Sequence, residues 1–173
     1  MTWRVPYGTL GTDNEGHGSM ALSISTIEAL RELQQVAWQN SEDKGFHSDR
    51  PNRDDFVPGE RGDRAYAIAL RDNQSNKLML IVGEASEGHE ELRSGKPADL
   101  TYYPTAIEDS DLLVHPYGPG GLPAKPEGLP SELADIVIRA FDTAEIEKID
   151  LAGMIAEKII YNASRPYKHG KSF

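Results

Sequence analysis

The stretch KLMLIVGEASEGHEELRSG, from Lys77 to Gly95, decides the fold of this chain. Its apolar residues recur at three- and four-residue spacing and no proline interrupts them, so the stretch predicts an amphipathic α-helix. Glu84, Glu87 and Glu91 stand at offsets of zero, three and seven, which places their carboxylates on one face of that helix. We predict that the whole helix runs from Asp63 to Ser94.

The spacing of apolar residues also predicts three further helices, and it predicts which face of the second helix is buried. A first helix is predicted over Thr26 to Asn40, a third from a cap at Ser131 to Lys148, and a fourth from Leu151 to Asn162. Residues 1–22 have no sustained period and predict a flexible lead-in. The buried stripe of the second helix is expected to consist of Ala67, Leu70, Leu78, Ile81, Ala85 and Leu92.

Prolines concentrate between the second and third helices. Seven of the 11 prolines fall between Pro97 and Pro130. Because proline lacks the N–H that helices and central strands require, residues 96–130 predict a long Pro- and Gly-rich insertion. The four helices can bury their apolar faces only by packing together. We therefore predict an all-α, four-helix-bundle-like fold, with a single helical domain over residues 23–173 that contains this insertion.

The composition narrows the classes of function. The 173 residues carry a formal net charge of -10, which disfavours general binding to nucleic-acid phosphates. No window approaches the roughly 20 apolar residues of a membrane-spanning helix, and no signal sequence is evident. The absence of cysteine is compatible with a reducing compartment, so a cytoplasmic location is expected. No acidic side chain follows Glu157, so the acidic body ends in a basic tail.

A second pair of acids lies on the third predicted helix. In SELADIVIRAFD, which begins at Ser131, Glu132 and Asp135 are three residues apart and flanked by apolar residues. Either acidic pair alone is more typical of a solvated helix face, but two pairs in apolar helices favour a metal site. Carboxylate oxygens suit Mg²⁺, with Mn²⁺ as an alternative. The candidate metal ligands are Glu84, Glu87, Glu132 and Asp135.

The order of these motifs carries a family resemblance. An ExxE pair, Glu84 to Glu87, is followed on the next helix by an ExxD pair, Glu132 to Asp135, and then by Lys158-x3-Asn162-x2-Arg165-Pro166. This order resembles the MazG-like all-alpha nucleoside triphosphate pyrophosphohydrolases. The ending DLAGMIAEKIIYNASRPYKHGKSF is similar to bacteriophage-encoded members of that family. The likeness covers residues 77–173 apart from the Pro-rich segment.

The resemblance implies hydrolysis of ribo- or deoxynucleoside triphosphates to the monophosphate and pyrophosphate, with Mg²⁺. It implies that Glu84 and Glu87 act in catalysis as well as in metal binding. It also implies a homodimer or homotetramer in the cytoplasm of a bacterium or a phage-infected host, with no nucleic-acid or membrane partner. The residues that it implies for substrate binding are Lys158, Asn162, Arg165 and Lys168; without the resemblance they would be interpreted as exposed or structural.

Two features depart from the family pattern. The 44 residues from Gly88 to Ser131 exceed the usual spacing between the two acidic pairs, and the excess is the Pro-rich insertion. Gly83 stands where many members carry a further glutamate, which leaves the number of bound metals open, with Glu91 as a candidate replacement. His89 is expected on the surface because it faces away from Glu87.

The sequence leaves open which residues recognise the base and whether the protein has one of two other functions. Aromatic residues that can stack on a base are Trp38, Phe46, Tyr102, Tyr103 and Tyr117, although each alone is more typical of packing. His169 in the basic tail is a candidate phosphate contact. One alternative function is a non-enzymatic helical interaction protein, whose insertion docks another protein. The other is a hydrolase of the same fold that acts on a modified or signalling nucleotide.

Overall fold

The computed structural model describes residues 21–106 and 116–166. Within these ranges the chain forms four α-helices, two short 3-10 helices and no β-strand, so the all-α prediction is confirmed. None of the helices described there has the length and apolar content that crossing a membrane requires. The helices are α1 (Ile24–Asp43), α2 (Glu60–Arg93), α3 (Leu129–Ile146) and α4 (Leu151–Ala163).

The predicted helix ends differ from the observed ones by a few residues, and local hydrogen bonds explain the difference. Ser23 Oγ accepts a hydrogen bond from the backbone N–H of Thr26 at 3.1 Å, and α1 begins at Ile24. The predicted cap at Ser131 is wrong, because α3 begins two residues earlier, after Gly128. The φ of 107° at Gly128 is one that glycine adopts without strain, so this glycine allows the abrupt start of α3.

The described chain divides into two compact units, and the division falls within α1 and at the start of α4. The first unit contains residues 21–30 and 152–166, and the second contains residues 31–106 and 116–151. The assignment of residues 23–173 to a single domain stays a prediction. Residues 1–20, which are most of the predicted flexible lead-in, lie outside the described residues.

The first unit has a small apolar core. Ile27 of α1 is buried together with Ala152 and Ala156 of α4, and Leu22 and Leu30 pack against them. Ala152 and Ala156 are one helical turn apart on the same face, and their short side chains allow α1 and α4 to approach closely. This core holds the start of α1 against the helix that carries the candidate substrate-binding residues.

In the second unit, α2 packs against α3 through a largely polar stripe. The apolar stripe predicted for α2 is not buried, since Leu78 and Leu92 are 58% and 45% exposed. That prediction was wrong because helical periodicity shows which residues share a face, but not which face the next helix covers. The buried residues of α2 are instead Gly62, Asn73, Lys77, Glu84 and Gly88.

Polar side chains connect α1 to the end of α3 within the second unit. Gln34 Nε2 donates to Glu145 Oε2 at 2.8 Å and to the backbone carbonyl of Ile149 at 3.0 Å. Arg31 binds both carboxylate oxygens of Asp150, at 3.0 and 2.6 Å. Because a bidentate arginine–carboxylate pair sets orientation as well as distance, these contacts hold the second half of α1 in a defined direction.

The described part of the Pro- and Gly-rich segment is attached to the end of α2. Tyr102 and Glu127 form an antiparallel β-bridge, with backbone hydrogen bonds of 3.2 and 2.9 Å. Lys96 Nζ donates to both carboxylate oxygens of Glu91, at 3.0 and 2.9 Å, and also contacts the Tyr102 hydroxyl. The two ends of the segment are therefore held together between α2 and α3. Residues 107–115 of the predicted insertion lie outside the described residues.

Candidate functional site

Three of the four candidate metal ligands meet where α2 packs against α3. One carboxylate oxygen from each of Glu84, Glu87 and Glu132 lies within 4.8 Å of the other two. Glu84 and Glu132 are buried, with 7% and 4% of their surfaces exposed, whereas Glu87 is exposed. We call these three residues the acidic cluster. Because two of its acids are buried and the third is exposed, the cluster suits a cation that keeps some of its water ligands.

Gly88 allows the two helices to approach closely at the acidic cluster. It lies one turn beyond Glu84, and a Cβ at this position would be 3.0 Å from Leu129 Cδ1 and 3.4 Å from Glu132 Cβ. A larger side chain would push α3 away and move Glu132 with it. A Cβ at Gly83, by contrast, would meet nothing within 4 Å. The sequence signal for this contact was a glycine inside a helix, which the sequence predictions did not use.

Burial and the negative charge of neighbouring carboxylates favour a bound proton in the cluster. Burial, a hydrogen bond to Glu84 and the neighbouring carboxylate charges raise the pKa of Glu132 to about 7. Burial and the charge of Glu84 also raise the pKa of Asp135, against the opposing effect of Arg139. Near neutral pH, the cluster therefore holds a proton that a divalent cation can displace.

Asp135, the fourth candidate ligand, lies one turn along α3 from Glu132 and is half-buried. Its carboxylate is not among the three groups whose oxygens meet within 4.8 Å. Arg139, one turn further along, donates its Nε–H to Glu84 Oε1. This charge-assisted hydrogen bond places a positive charge against the buried side of the acidic cluster. Asp135 and Arg139 thus border the cluster on α3.

The other acids near the end of α2 have their own partners. Glu91, the candidate replacement ligand, accepts hydrogen bonds from Lys96 and from the Tyr102 hydroxyl and is not part of the acidic cluster. Glu90 pairs with Arg93 at 2.8 Å on the exposed face. His89 is exposed, as predicted. The polar stripe predicted from Glu84 to Glu91 is therefore divided between the cluster and the attachment of the Pro-rich segment.

A cavity of about 450 Å³ adjoins the acidic cluster. It is lined from α3 by Asp135 and Arg139, from α2 by Asn73 and Lys77, and from the turn after α1 by Phe46. None of the three cluster residues lines the cavity, and the link between the two is Arg139, which lines the cavity and binds Glu84 of the cluster. The volume lies within the range of about 300–1,000 Å³ that is common for small-molecule sites.

The turn after α1 is anchored by His47, which the sequence predictions did not identify as a site residue. Its Nδ1 lies 2.7 Å from Glu42 Oε2 and its Nε2 lies 2.7 Å from Asp142 Oδ1. The ring also stacks on Trp38, with centroids 6.1 Å apart. Asp142 of α3 therefore holds this turn. Only knowledge of where α3 passes α1 could have revealed this contact, because the partners are far apart in the chain.

The candidate substrate-binding residues lie at the C-terminal end of the first unit. Lys158 and Asn162 are on α4 and Arg165 follows it, and all three are exposed. Lys158 Nζ lies 5.0 Å from the ring centroid of Tyr161, and Arg165 Cζ lies 5.8 Å from it. The two cations therefore share one aromatic ring. Lys168 and His169 lie outside the described residues. Contact of any of these residues with a substrate stays a prediction.

Comparison of the chain with models of protein families, with curated proteins and with solved structures gave no match. The resemblance to the MazG-like hydrolases therefore rests on the order and spacing of the motifs in the sequence. The acidic cluster and the adjoining cavity are geometric observations that do not depend on that resemblance. They provide the physical basis for a functional proposal.

Proposed function

We propose that this protein is a metal-dependent hydrolase that converts ribo- or deoxynucleoside triphosphates to the monophosphate and pyrophosphate. The observation that carries the proposal is the meeting of Glu84, Glu87 and Glu132 within 4.8 Å beside a ligand-sized cavity. The resemblance of the ExxE and ExxD pairs to those of the MazG-like hydrolases supports the reaction type. A binding protein with solvated acidic stripes would not need two of these carboxylates to be buried.

The oxygen ligands of the cluster fit Mg²⁺, with Mn²⁺ as the alternative. The three carboxylate oxygens lie within 4.8 Å of one another, so Glu84, Glu87 and Glu132 would hold one such ion after their side chains move closer together. Burial, the hydrogen bond to Glu84 and the neighbouring carboxylates raise the pKa of Glu132 to about 7, and a cation at the cluster would favour its ionised form instead. When bound, the metal would neutralise triphosphate charge and lower the pKa of a coordinated water.

The residues of the cluster would divide the work of the reaction. With a cation bound, Glu132 would be ionised and would add its negative charge to that of the other buried acid, Glu84. Arg139 keeps Glu84 in place through its Nε–H. Glu87 is the exposed member, so it is the carboxylate best placed to take a proton from the attacking water. The water oxygen adds to the α-phosphorus, and the bond to the bridging oxygen breaks, so that pyrophosphate leaves.

The proposal includes a second copy of the chain. On α2, Leu78, Met79 and Val82 are 58%, 59% and 54% exposed, on a different face from the stripe that packs against α3. Contiguous exposed apolar residues usually mark a contact surface. A homodimer or homotetramer would cover this face and allow α2 to be buried on two sides.

The experiment that tests the proposal measures the release of pyrophosphate and monophosphate from a panel of ribo- and deoxynucleoside triphosphates. Each reaction is run with Mg²⁺, with Mn²⁺ and with a chelator. Metal-dependent release of pyrophosphate is the expected result. Release of orthophosphate would be consistent with the metal site but would show that a different phosphoanhydride bond is hydrolysed. No release from any triphosphate would contradict the proposal and favour a modified nucleotide or a non-enzymatic role.

A further inference from the structure

The turn after α1 holds the backbone of Phe46 at the cavity and leaves its ring uncovered. The Phe46 carbonyl accepts a hydrogen bond from Lys77 Nζ at 3.0 Å, and its N–H donates to the carbonyl of Ser41 at 3.0 Å. The next residue, His47, is anchored by two carboxylates. Phe46 is nevertheless 68% exposed while lining the cavity. A fixed backbone with an open aromatic face is suited to stacking on a flat ligand.

Asn73 provides a second and independent feature of the same cavity. It lines the cavity from α2 and is only 7% exposed. Its Nδ2 donates to the carbonyl of Asp49 at 3.4 Å, which identifies the other amide atom as oxygen. That oxygen, Oδ1, is buried and accepts no hydrogen bond from any described residue. Because buried amide oxygens normally have a donor, this oxygen is available for one that a ligand supplies.

The bond that holds Asn73 is weak enough to be adjusted. A donor–acceptor distance of 3.4 Å is beyond the usual range for an N–H···O hydrogen bond. Binding of a ligand through this oxygen requires a rotation of the amide about its Cβ–Cγ bond that exposes the buried Oδ1 to the cavity, and this rotation gives up only the weak bond to Asp49. Asn76 and Asn40 also line the cavity, and their amides can donate or accept at other edges of a ligand.

We infer that this cavity binds a flat heteroaromatic ring, which stacks on Phe46 and donates an N–H to Oδ1 of Asn73. The inference rests on the proposed function, in which that ring is the nucleobase of the substrate. Stacking is tolerant of ring identity, whereas a buried acceptor rejects a ring edge that lacks a donor. Phe46 therefore supplies affinity, and Asn73 selects among bases by the edge they present.

The charges around the cavity orient the nucleotide. Lys77 is 9% exposed and its ammonium binds the Phe46 carbonyl, so it is poorly placed to bind a phosphate. The carboxylates of Asp49 and Asp135 also line the cavity, and they repel a phosphate that is not bridged by a cation. The triphosphate consequently belongs at the acidic cluster, beyond Arg139, and the uncharged base belongs between Phe46 and Asn73.

The test measures binding without turnover, by calorimetric titration of α,β-imido deoxynucleoside triphosphates in Mg²⁺. The panel carries adenine, guanine, cytosine, thymine and uracil, and inorganic triphosphate is the probe for the metal side alone. The wild-type protein should bind at least one nucleotide about tenfold more tightly than inorganic triphosphate.

Phe46→Ala should weaken binding of that nucleotide at least about fivefold and leave binding of inorganic triphosphate unchanged. Phe46→Tyr should retain the affinity. Leu122→Ala, at a residue that is 69% exposed and outside the cavity lining, should have no effect.

A second pair of measurements distinguishes the effect of the hydrogen bond to Asn73 from the effect of the side chain's shape. Asn73→Leu, which has a similar outline and no acceptor, should weaken binding of the preferred nucleotide about tenfold. It should make little difference to the same nucleotide methylated on the donating nitrogen, since that ligand has already lost the bond. Asn73→Ala, which also lacks an acceptor, is the replacement to use if the leucine variant does not fold, and circular dichroism establishes folding.

Three results would overturn the inference: no binding of any nucleotide, equal binding of nucleotides and inorganic triphosphate, or wild-type binding by both the Phe46 and Asn73 variants. These results are distinct from a failure of the proposed function. Base-dependent binding without hydrolysis of natural triphosphates would contradict the hydrolase proposal and retain the base site. Hydrolysis that is indifferent to Phe46 and Asn73 would retain the hydrolase proposal and reject the base site.

Discussion

Arg139 of α3 donates its Nε–H to Oε1 of Glu84 on α2, although the two residues are 55 positions apart in the chain. Glu84 is one of two buried acids in the cluster, and the guanidinium offsets part of its charge. The protein therefore neutralises the cluster in two ways, through Arg139 at Glu84 and through the proton favoured at Glu132. A divalent cation would compete with both.

Replacing Arg139 with glutamine should reduce the free energy of unfolding of the metal-free protein by roughly 1–2 kcal/mol, because Glu84 would lose its charged donor. The Arg139 side chain is 40% exposed, so solvent limits the cost. Urea unfolding in chelator and in Mg²⁺ measures the effect. Mg²⁺ should recover most of the loss, and Arg139→Lys should be milder. An identical loss in both conditions would show that Arg139 does not offset the charge that the metal binds.

Glu84→Gln and Asp135→Asn should each abolish turnover while the helical fold is retained. We expect the rate of pyrophosphate release to fall by on the order of 100-fold or more, because each carboxylate would help to hold the cation that offsets the negative charge of the transition state. Glu90→Gln is the matched control, since Glu90 is on α2 but pairs with Arg93 at the exposed face. Circular dichroism checks the fold. Wild-type turnover in either variant would remove that residue from the site.

The stability of the metal-free protein should fall as the pH rises from about 4.5 to about 7. The pKa of Glu132 is raised from 4.5 to about 7, so in this window the folded protein retains a proton that the unfolded chain has lost. Stability decreases with pH wherever the folded state binds more protons. At about 1.4 kcal/mol per pKa unit, the contribution is on the order of 1–3 kcal/mol.

Thermal unfolding at several pH values, in chelator and in Mg²⁺, measures this dependence. Glu132→Gln should flatten the decline, because its side chain cannot titrate. The stabilisation by Mg²⁺ should be larger at pH 8 than at pH 6, since the cation no longer competes with the proton. A decline of equal size in the Glu132→Gln variant would assign the titration to another group.

Two glycines of α2 should respond differently to alanine. Gly83→Ala should raise the free energy of unfolding by about 0.5–1 kcal/mol, because alanine favours the helix and the added Cβ meets nothing within 4 Å. Gly88→Ala places a Cβ 3.0 Å from Leu129 Cδ1, so it should gain less stability. It should also weaken metal affinity by displacing Glu132. Calorimetric titration with Mn²⁺ tests the pair, and equal metal affinity in both variants would contradict the positioning role of Gly88.

The exposed apolar face of α2 should be covered by a second copy of the chain. Light scattering after size-exclusion chromatography should give a mass of two or four times 19.1 kDa. Leu78→Glu should shift the population toward the monomer, because it places a charge in a surface that must lose its water. Leu122→Glu, at an exposed residue of the Pro- and Gly-rich segment, is the control. A wild-type monomer at micromolar concentration would reject this assembly.

The four helices could be predicted because helix formation is largely local. Residues at three- and four-residue spacing in α2 and α4 share a face whatever else surrounds them, and α4 begins at the predicted Leu151. The helix ends were less predictable. Ser23, three residues before the predicted start at Thr26, accepts the hydrogen bond from the first turn of α1, and α3 begins after Gly128. Several residues near each end had suitable chemistry, and only their geometry selected one.

Burial could not be predicted in the same way. Leu78 was predicted to be buried and is exposed, whereas Asn73 and Lys77, which were not part of the predicted stripe, are buried. Hydrophobicity favours burial of Leu78, but no described helix covers that face. Asn73 and Lys77 are buried because they face α3 and the turn after α1, where backbone carbonyls accept their hydrogen bonds.

The sequence by itself determined that the acids occur in two pairs at helical spacing, because the geometry within one helix depends only on neighbouring residues. Only the tertiary structure decided that Glu132 joins Glu84 and Glu87, while Asp135 borders the cavity. It also decided that His47 and Asp142 meet. These contacts depend on where α3 crosses α2 and α1. That crossing is set by close packing at positions such as Gly88, where a missing side chain lets distant parts of the chain touch.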